Sequence, residues 1–510
     1  MSGEWERLDR RTVAVTALLM AGVAVTAGLP TGYGIAGATS VATALMWVLP
    51  GAALLIAAGA AADFLRWRTT RYRIGDDRVE VRSGVLVRKR RSLQRNRIRT
   101  VDVTADPLLR VFGLVTVRIG TGDQSSSGEG TVALRPVRRD VADGLRRTLL
   151  RHAATAEAGS EGLLAELDRA WIRYAPLSFV APLLGGSAFG VVLNVSDWFG
   201  LQNSVIGYVA GLFRDVPLVT TIAILTAVAL VIGVVAALGL WVEMWWNYRL
   251  EREPGGTLRV RRGLSTTRSI SIEESRLRGV DVVEPLGARL AGAARVDAVA
   301  TGMVAKAEDD KSDRRTLLPA APKAVADRVA AAALREPVAP TASVQLTAHP
   351  TAARGRRLRW ALATVAVFET PLVVLGVLLT DVLLHIAWIS AVVLVPVAVV
   401  LALDAYRSLG HGITGGYLVT RSGTVRRSTV ALQRRGIIGW SVRQSRFQRR
   451  AGLVTVWATT AAGVGAYAIH DAGTSTSLAV AETAVPELLT PFLERVPVAD
   501  QTPSLVRYLG

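Results

Sequence analysis

Three pairs of glycines constrain this chain most: Gly84 and Gly113, Gly263 and Gly292, and Gly423 and Gly452 are each 29 residues apart. The sequence repeats itself around them. The best-preserved copy runs from Tyr72 to Gly122, and its segments VRSGVL, NRIRTVDVTADP and FGLVTV return between Tyr248 and Gly302 as VRRGLS, SRLRGVDVVEP and AGAARV. A third copy begins near Gly412 and carries TRSGTV, RGIIGWSVRQS and AGLVTV at the matching places. Equal spacing fixes the register of an internal repeat. The copies have drifted: Ala293-Ala294 replace Leu114-Val115, and copy three, which reads WSVRQSRF with Arg443 and Arg446-Phe447, keeps neither the Asp nor the Pro of VDVTADP. Copy one is therefore expected to hold most of any activity the repeats share.

Apolar runs separate the copies. Half of the 510 residues are hydrophobic, yet 20% are charged, a mixture that fits membrane spans alternating with polar domains. Val13 to Leu29 and about Ala38 to Ala62 form one pair of runs, with TGYG as the turn between them; Ala175 to Val195 and Pro217 to Trp241 form a second, and Trp360 to Leu379 and Val382 to Leu403 a third. About 20 apolar residues cross a bilayer core. The reading is six transmembrane helices in three hairpins, each leading into one copy. Arg10 and Arg11 would also serve as the n-region of a cleaved signal peptide, but cleavage would leave the next run in the same orientation. Basic residues flank the hairpins on one side, from Arg10 and Arg11 to Arg66, Arg169, Arg249, Arg356 and Arg407, whereas the opposite turns hold only Arg214 as a base. The positive-inside rule then places both termini and all three copies in the cytoplasm.

Within a copy, Val79 and Val81, Val85 and Val87, Val101 and Val103, and Val115, Val117 and Ile119 alternate with polar residues, the period of half-buried strands. PLLRVFG reads as a single helical turn entering the strand LVTVRI. A variable polar hairpin follows, DQSSSGEG in the first copy, AKAEDDKSDRR in the second and HDAGTSTS in the third. A last strand and a C-terminal helix, from Arg138 to His152 in copy one, close each unit. The first glycine of each pair fits a tight turn with positive φ, and the second a close approach of the short helix to the sheet. The expected order is a cytoplasmic start at 1–12, hairpin 1 at 13–62, domain 1 at 63–152, a linker with a juxtamembrane amphipathic helix at 153–174, hairpin 2 at 175–241, domain 2 at 242–335, a linker at 336–359, hairpin 3 at 360–403, domain 3 at 404–497 and a tail at 498–510. The outer loop from Ser196 to Val216, with Trp198, Phe199, Tyr208 and Phe213, suits an interfacial helix.

Arg82-Ser-Gly84, Arg97-Ile98, Val101-Asp102-Val103, Pro107-Leu108 and Gly113-Leu114 together resemble the YdbS-like bacterial pleckstrin-homology (PH) domain family, over about three times 80 residues plus the preceding transmembrane pair. The resemblance implies an α+β membrane protein in which each hairpin is followed by a PH-like split β-barrel closed by a C-terminal helix. It implies an architecture much more firmly than a function.

The candidate functional residues are basic runs and one acid. Arg88, Lys89, Arg90 and Arg91 are consecutive, with Arg95 and Arg97 behind them, and copy three carries Arg426, Arg427, Arg434 and Arg435. Basic clusters beside a bilayer are drawn to anionic headgroups by roughly 1 kcal/mol per residue; the bland reading is a solvated strand face with the positive-inside bias. Glu369 lies within the fifth span, where a charge is costly. Asp63, Glu243 and Asp404 end the second helix of each pair, and an acid there opposes the helix dipole, so an arginine partner is expected for each. Cysteine is absent, the five histidines are scattered, and neither a P-loop nor a G-x-S-x-G elbow occurs, which leaves no catalytic, cofactor or metal residue to name. Nucleic acid is not expected, for want of aromatic stacking platforms. The expectation is a non-enzymatic adaptor or membrane-surface sensor in a bacterial inner membrane, its partners being membrane lipids or a membrane or cytoplasmic protein, with homo- and hetero-oligomers both open. The alternative is a transport or envelope-maintenance component whose spans act and whose PH-like domains regulate or assemble it.

Overall fold

The computed structural model describes residues 5–75, 78–84, 89–94, 100–120, 131–142, 144, 162–178, 180–301, 315–486 and 488. They belong to two compact units, Met1–Ala339 with Ala462–Val464 and Pro340–Ala461 with Gly465–Gly510. The first unit contains repeats one and two. In repeat one a short strand, β1 (Glu6–Arg7), precedes the apolar hairpin α1 (Thr12–Ala38) and α2 (Val41–Thr69). The turn lies at Thr39-Ser40 rather than at TGYG, because Thr31 returns its hydroxyl to Ala27 O at 2.8 Å inside the helix and Ser40 caps α2 by accepting from Thr43 N–H. β2 (Arg71–Ile74), β3 (Arg78–Ser83) and β4 (Lys89–Gln94) complete an antiparallel sheet in the order β1-β2-β3-β4. β5 (Thr100–Ala105), α3 (Pro107–Val111), β6 (Leu114–Gly120) and β7 (Thr131–Arg138) form a second meander. One core joins the two sheets, with Tyr72, Val79 and Leu93 from the first and Val117, Ile119 and Leu134 from the second. The helix expected over Arg138 to His152 lies mostly outside the described residues, as do DQSSSGEG and nearly all of AKAEDDKSDRR.

Repeat two begins with β8 (Gly162–Glu166) and a 3-10 helix over Arg169–Leu177. The sequence gives an amphipathic helix to Leu163–Tyr174. Its first residues instead pair along the next strand, and only the second half is helical, with Trp171 and Tyr174 buried. α4 (Val180–Trp198), α5 (Gln202–Leu212) and α6 (Leu218–Trp245) follow, α5 being the helix anticipated in the outer loop. α4 and α6 pack backbone to backbone: a Cβ on Gly185 would strike the Ala229 carbonyl, and one on Gly233 the Ala181 carbonyl. β9 (Arg249–Glu253), β10 (Thr257–Arg262) and β11 (Thr267–Glu273) make the first half of the domain; β12 (Leu277–Pro285), α7 (Leu286–Leu290), β13 (Ala293–Ala300) and β14 (Thr316–Pro322) make the second, on which α8 (Lys323–Leu334) packs through Ala326, Val329 and Ala330.

Repeats one and two are joined through their sheets. β11 runs antiparallel to β5, with Thr267 opposite Ala105, Ser269 opposite Val103 and Ile272 opposite Thr100. A single sheet therefore runs β7-β6-β5-β11-β10-β9-β8, half of it from each repeat. No barrel closes among the described residues.

The second unit repeats the plan with α9 (Pro340–Ser343), α10 (Thr351–Leu379) and α11 (Asp381–Arg407), so the fifth span's helix starts inside the segment expected to be linker. β15 (Gly410–Thr414), β16 (Tyr417–Ser422) and β17 (Arg426–Gln433) form one antiparallel meander. β18 (Ile437–Arg443), α12 (Arg446–Arg450), β19 (Leu453–Thr460) and β20 (Ala466–Gly473) form another, followed by α13 (Thr474–Ala484). This corrects the third copy's hairpin: His470 to Gly473 end a strand, and TSTS opens the helix. Among the described residues six helices are long and apolar enough to cross a membrane: α1, α2, α4, α6, α10 and α11.

Two features recur beyond the strands. The segment ahead of each hairpin returns to pair with the first strand after it: β1 with β2, β8 with β9, and Thr347 with His411 of β15. The glycine pairs also divide their work. Gly263 and Gly423 take φ of 110° and 99°, and a Cβ on either would collide with the carbonyl of Thr266 or Arg426, so the tight-turn reading holds. Gly113, Gly292 and Gly452 have φ near 70°, 69° and 63° with open space beside them. They are left-handed residues ending a one-turn helix, not points of close approach.

Candidate functional site

The second and third hairpins are fixed to their repeats by the acid that ends the second helix, and in the first the acid ties the two helices together. Glu243 of α6 accepts hydrogen bonds from Thr266 N–H at 2.9 Å, Ser265 N–H at 3.2 Å and the Ser265 hydroxyl. The β10–β11 turn in return caps the helix, with Gly263 N–H donating to Trp246 O at 2.8 Å and Leu264 N–H to Glu243 O at 3.0 Å. Those carbonyls would otherwise lack partners at a helix C-terminus. Asp404 of α11 accepts from the Thr424 hydroxyl at 2.6 Å in the equivalent turn. In repeat one Asp63 is buried, accepting from the Thr12 hydroxyl at 2.7 Å and pairing with Arg66 at 2.7 Å. The expected arginine partner is present for Asp63 as Arg66, whereas Glu243 is held chiefly by a hydroxyl and backbone amides and Asp404 accepts from the Thr424 hydroxyl.

Where α6 meets the seam of β5 and β11, the chain builds a cleft of about 570 Å³. Eight arginines and one carboxylate line it: Arg110, Arg139, Arg169, Arg249, Arg259, Arg261, Arg262 and Arg268, with Glu166. Their positions follow from the fold. Arg110 ends α3, Arg139 follows β7, Arg169 begins the 3-10 helix, and Asn247, at φ 53°, turns the chain from α6 into β9 so that Arg249 enters the rim. Some of this charge is already committed. Arg249 pairs with Glu166 at 2.9 Å, Arg259 with Glu253 at 2.8 Å, and the buried Arg262 stacks on Trp245 at 4.4 Å. Arg139, Arg169 and Arg261 are exposed at the rim. A second cleft, about 760 Å³, shares Val103, Arg262, Arg268 and Ser269 with the first and reaches Thr12, Asp63 and Arg66 at the base of the first hairpin. Such a concentration of one sign beside the ends of spans attracts anions.

The basic runs named from the sequence go to other places. Arg88, Arg95 and Arg97 lie outside the described residues. Lys89, Arg90 and Arg91 are in β4, where Arg90 at 2.6 Å and Arg73 at 2.9 Å bind buried Glu80, and those guanidiniums hold its carboxyl below the usual range against the opposing effect of burial. Arg426 and Arg427 open β17. Arg434 instead caps α13, donating to Ala484 O at 2.6 Å and Thr483 O at 2.5 Å, while Arg435 reaches Gln433 at 3.3 Å. Glu369 accepts from the Ser390 hydroxyl of the facing helix at 3.2 Å; its other oxygen has no partner among the described residues. None of the named basic residues that the structure describes lines the arginine cleft. Its own arginines come from several distant stretches of the sequence, and the only signal for them was their position beside repeat glycines and helix ends.

The second unit holds a buried polar network that the sequence reading missed. Asp471, fully buried and at φ 53°, receives Gln448 at 2.9 Å, Arg356 at 2.5 Å and Arg357 at 2.9 Å. Burial raises its pKa, but Gln448 and the two guanidiniums outweigh burial and leave it lowered. Beside it His349 Nε2 and His411 Nδ1 are 2.9 Å apart, and burial pushes His411 down to about 4. Arginines that read as topology charges thus also bolt the foot of α10 to β20. Among the described residues no cluster of His, Asp and Glu could hold a metal ion.

The model of the family described as Bacterial PH domain matches residues 17–153, 204–336 and 362–487, so each match includes at least one span as well as a domain. The UPF0699 transmembrane protein YdbT of Bacillus subtilis (strain 168) is 32% identical over 73 residues, 14% of this chain and 15% of that protein. The chain thus matches well under two thirds of that relative's length. No solved structure matches.

Proposed function

The chain belongs to the Bacterial PH domain family and is a multi-pass membrane protein, and from that premise we propose that it is a non-enzymatic scaffold whose arginine cleft holds anionic lipid headgroups at the cytoplasmic face. The observation that carries this reading is the convergence of eight arginines on one cleft beside the end of α6. A span delivers the cleft to the headgroup layer, so little intrinsic affinity is needed, and each basic residue near an anionic surface adds about 1 kcal/mol. Trp246, half-buried just past the end of α6, suits the same interface. The arginines flanking the hairpins, on the same side as the repeats, support the cytoplasmic orientation.

The test compares the full chain with Arg139→Glu, Arg169→Glu and Arg261→Glu combined, in nanodiscs containing phosphatidylglycerol and phosphatidylcholine. Native mass spectrometry after gentle delipidation should find phosphatidylglycerol retained by the parent and lost from the variant, and free phosphate should fail to displace it. Equal retention by both would remove the cleft reading; displacement by phosphate would make the ligand a soluble anion. Glu369→Gln should leave retention unchanged, whereas a loss there would favour the reading in which the spans act.

A further inference from the structure

The seam between repeats one and two shows what one edge of a repeat's first half-sheet accepts. That half-sheet has two edges. One is covered by the lead-in segment, β1 on β2 and β8 on β9. The other, β11 in repeat two, is covered by β5, the strand that opens the second half-sheet of another repeat. In repeat one the strand at this place is β4, which pairs with β3 and has no strand on its other side among the described residues. An open edge presents a row of backbone donors and acceptors ready for a further strand.

We propose that β4 is a docking edge for the second half-sheet of another Bacterial PH domain protein in the same membrane, through an acidic strand that pairs antiparallel as β5 does with β11. The repeat register makes Lys89, Arg90 and Arg91 equivalent to Arg268, Ser269 and Ile270 of β11 and to Ser428, Thr429 and Val430 of β17. At these three positions β4 thus carries three cations, of which Arg90 is bound to Glu80, where β11 carries one and β17 none, its Arg426 and Arg427 lying earlier in the strand. β5, which pairs with β11, bears Asp102 and is followed by Asp106. Opposite charges on facing strands stabilise a pair and like charges destabilise it. A second copy of this chain is disfavoured as the occupant, because its corresponding strand, β18, would bring Arg443 opposite Lys89 and has Ser441 and Ser445 in place of the two aspartates. The occupant is therefore a strand of the V-D-V type, with carboxylates along β4, held in the same bilayer so that tethering supplements the pairing. This surface is separate from the arginine cleft and does not depend on lipid binding there.

The test places the photocrosslinking residue benzoylphenylalanine at Ser92, which is exposed in β4, in the full chain in native membranes. The expected adduct is a second Bacterial PH domain protein, crosslinked within the acidic strand that opens its second half-sheet. Lys89→Glu with Arg91→Glu should cut the yield roughly fivefold or more, the effect of about 1 kcal/mol. An adduct with another copy of this chain, with lipid alone or with residues scattered over many proteins would overturn the proposal, as would no adduct. Backbone amide exchange in native-membrane discs needs no variant: β4 should be protected there and exchange quickly after purification, and fast exchange in both would overturn it.

Discussion

β11 and β4 have the same place in successive repeats and opposite surroundings. β11 lies between β10 and β5, and Ser271 and Ile272 on it are buried; among the described residues β4 lies beside β3 alone, and Arg90, Arg91 and Ser92 on it are exposed. The sequences follow the surroundings. RSI in β11 is what a strand flanked on both sides accepts, and KRR in β4 is what keeps an open edge from pairing indiscriminately. The sheet that joins repeats one and two is therefore made of halves from different repeats.

The comparison breaks most sharply with proline. Ser269→Pro and Ile270→Pro should each lower the melting temperature of the purified chain strongly, because the amide of one faces β5, that of the other β10, and each loss exceeds the ~1 kcal/mol of an ordinary hydrogen bond. At the equivalent positions Arg90→Pro and Arg91→Pro, one of the two should be nearly silent, since alternate amides of an edge strand face solvent. If all four destabilise alike, β4 is not open. Gly263→Ala comes next, costing about 1 to 3 kcal/mol because φ is 110° and the Thr266 carbonyl is in the way, against about 1 kcal/mol for Gly292→Ala, where space is open. Glu243→Gln, which keeps an acceptor but removes its charge, should cost about 1 kcal/mol and loosen the β10–β11 turn, seen as faster amide exchange at Ser265 and Thr266.

The smallest effect is on pH. The pKa values of His349, His411 and His470 are all lowered from the ordinary imidazole value, chiefly by burial, with His411 pushed down to about 4. The unfolded chain then binds more protons than the folded one, so this stability is complete above about pH 6.5 and is lost as pH falls toward 4. Domain 2, over 242–335, has no histidine. Limited proteolysis between pH 7 and 4.5 should loosen repeat three before repeat two; the reverse order would count against the buried network.

Much of this fold was legible because it is local. The 29-residue glycine spacing, the apolar runs and the period-two valines each depend on neighbours in sequence, and they gave the three repeats, six spans and meanders. The seam was not legible, since the pairing of Val103 with Ser269 joins residues far apart in the chain through main-chain groups that all residues share. The arginine cleft was missed for the same reason: its residues meet only across that seam, whereas Arg88 to Arg91 draw notice by being adjacent. Copy three's hairpin was misplaced because HDAG looks like a loop. Asp471 is in fact a buried strand residue, and what makes that tolerable is Arg356 and Arg357, more than a hundred residues earlier.

The absence of cysteine makes the seam directly testable. Val103→Cys with Ser269→Cys places two thiols on residues that face each other across β5 and β11, at the spacing a disulfide needs. Mild oxidation in membranes should give an intrachain disulfide in high yield, while Val103→Cys with Ile270→Cys, one residue out of register and on the other face, should not crosslink. Failure of the registered pair, or equal crosslinking by both, would contradict a sheet shared between the two repeats and with it the cleft built on that sheet.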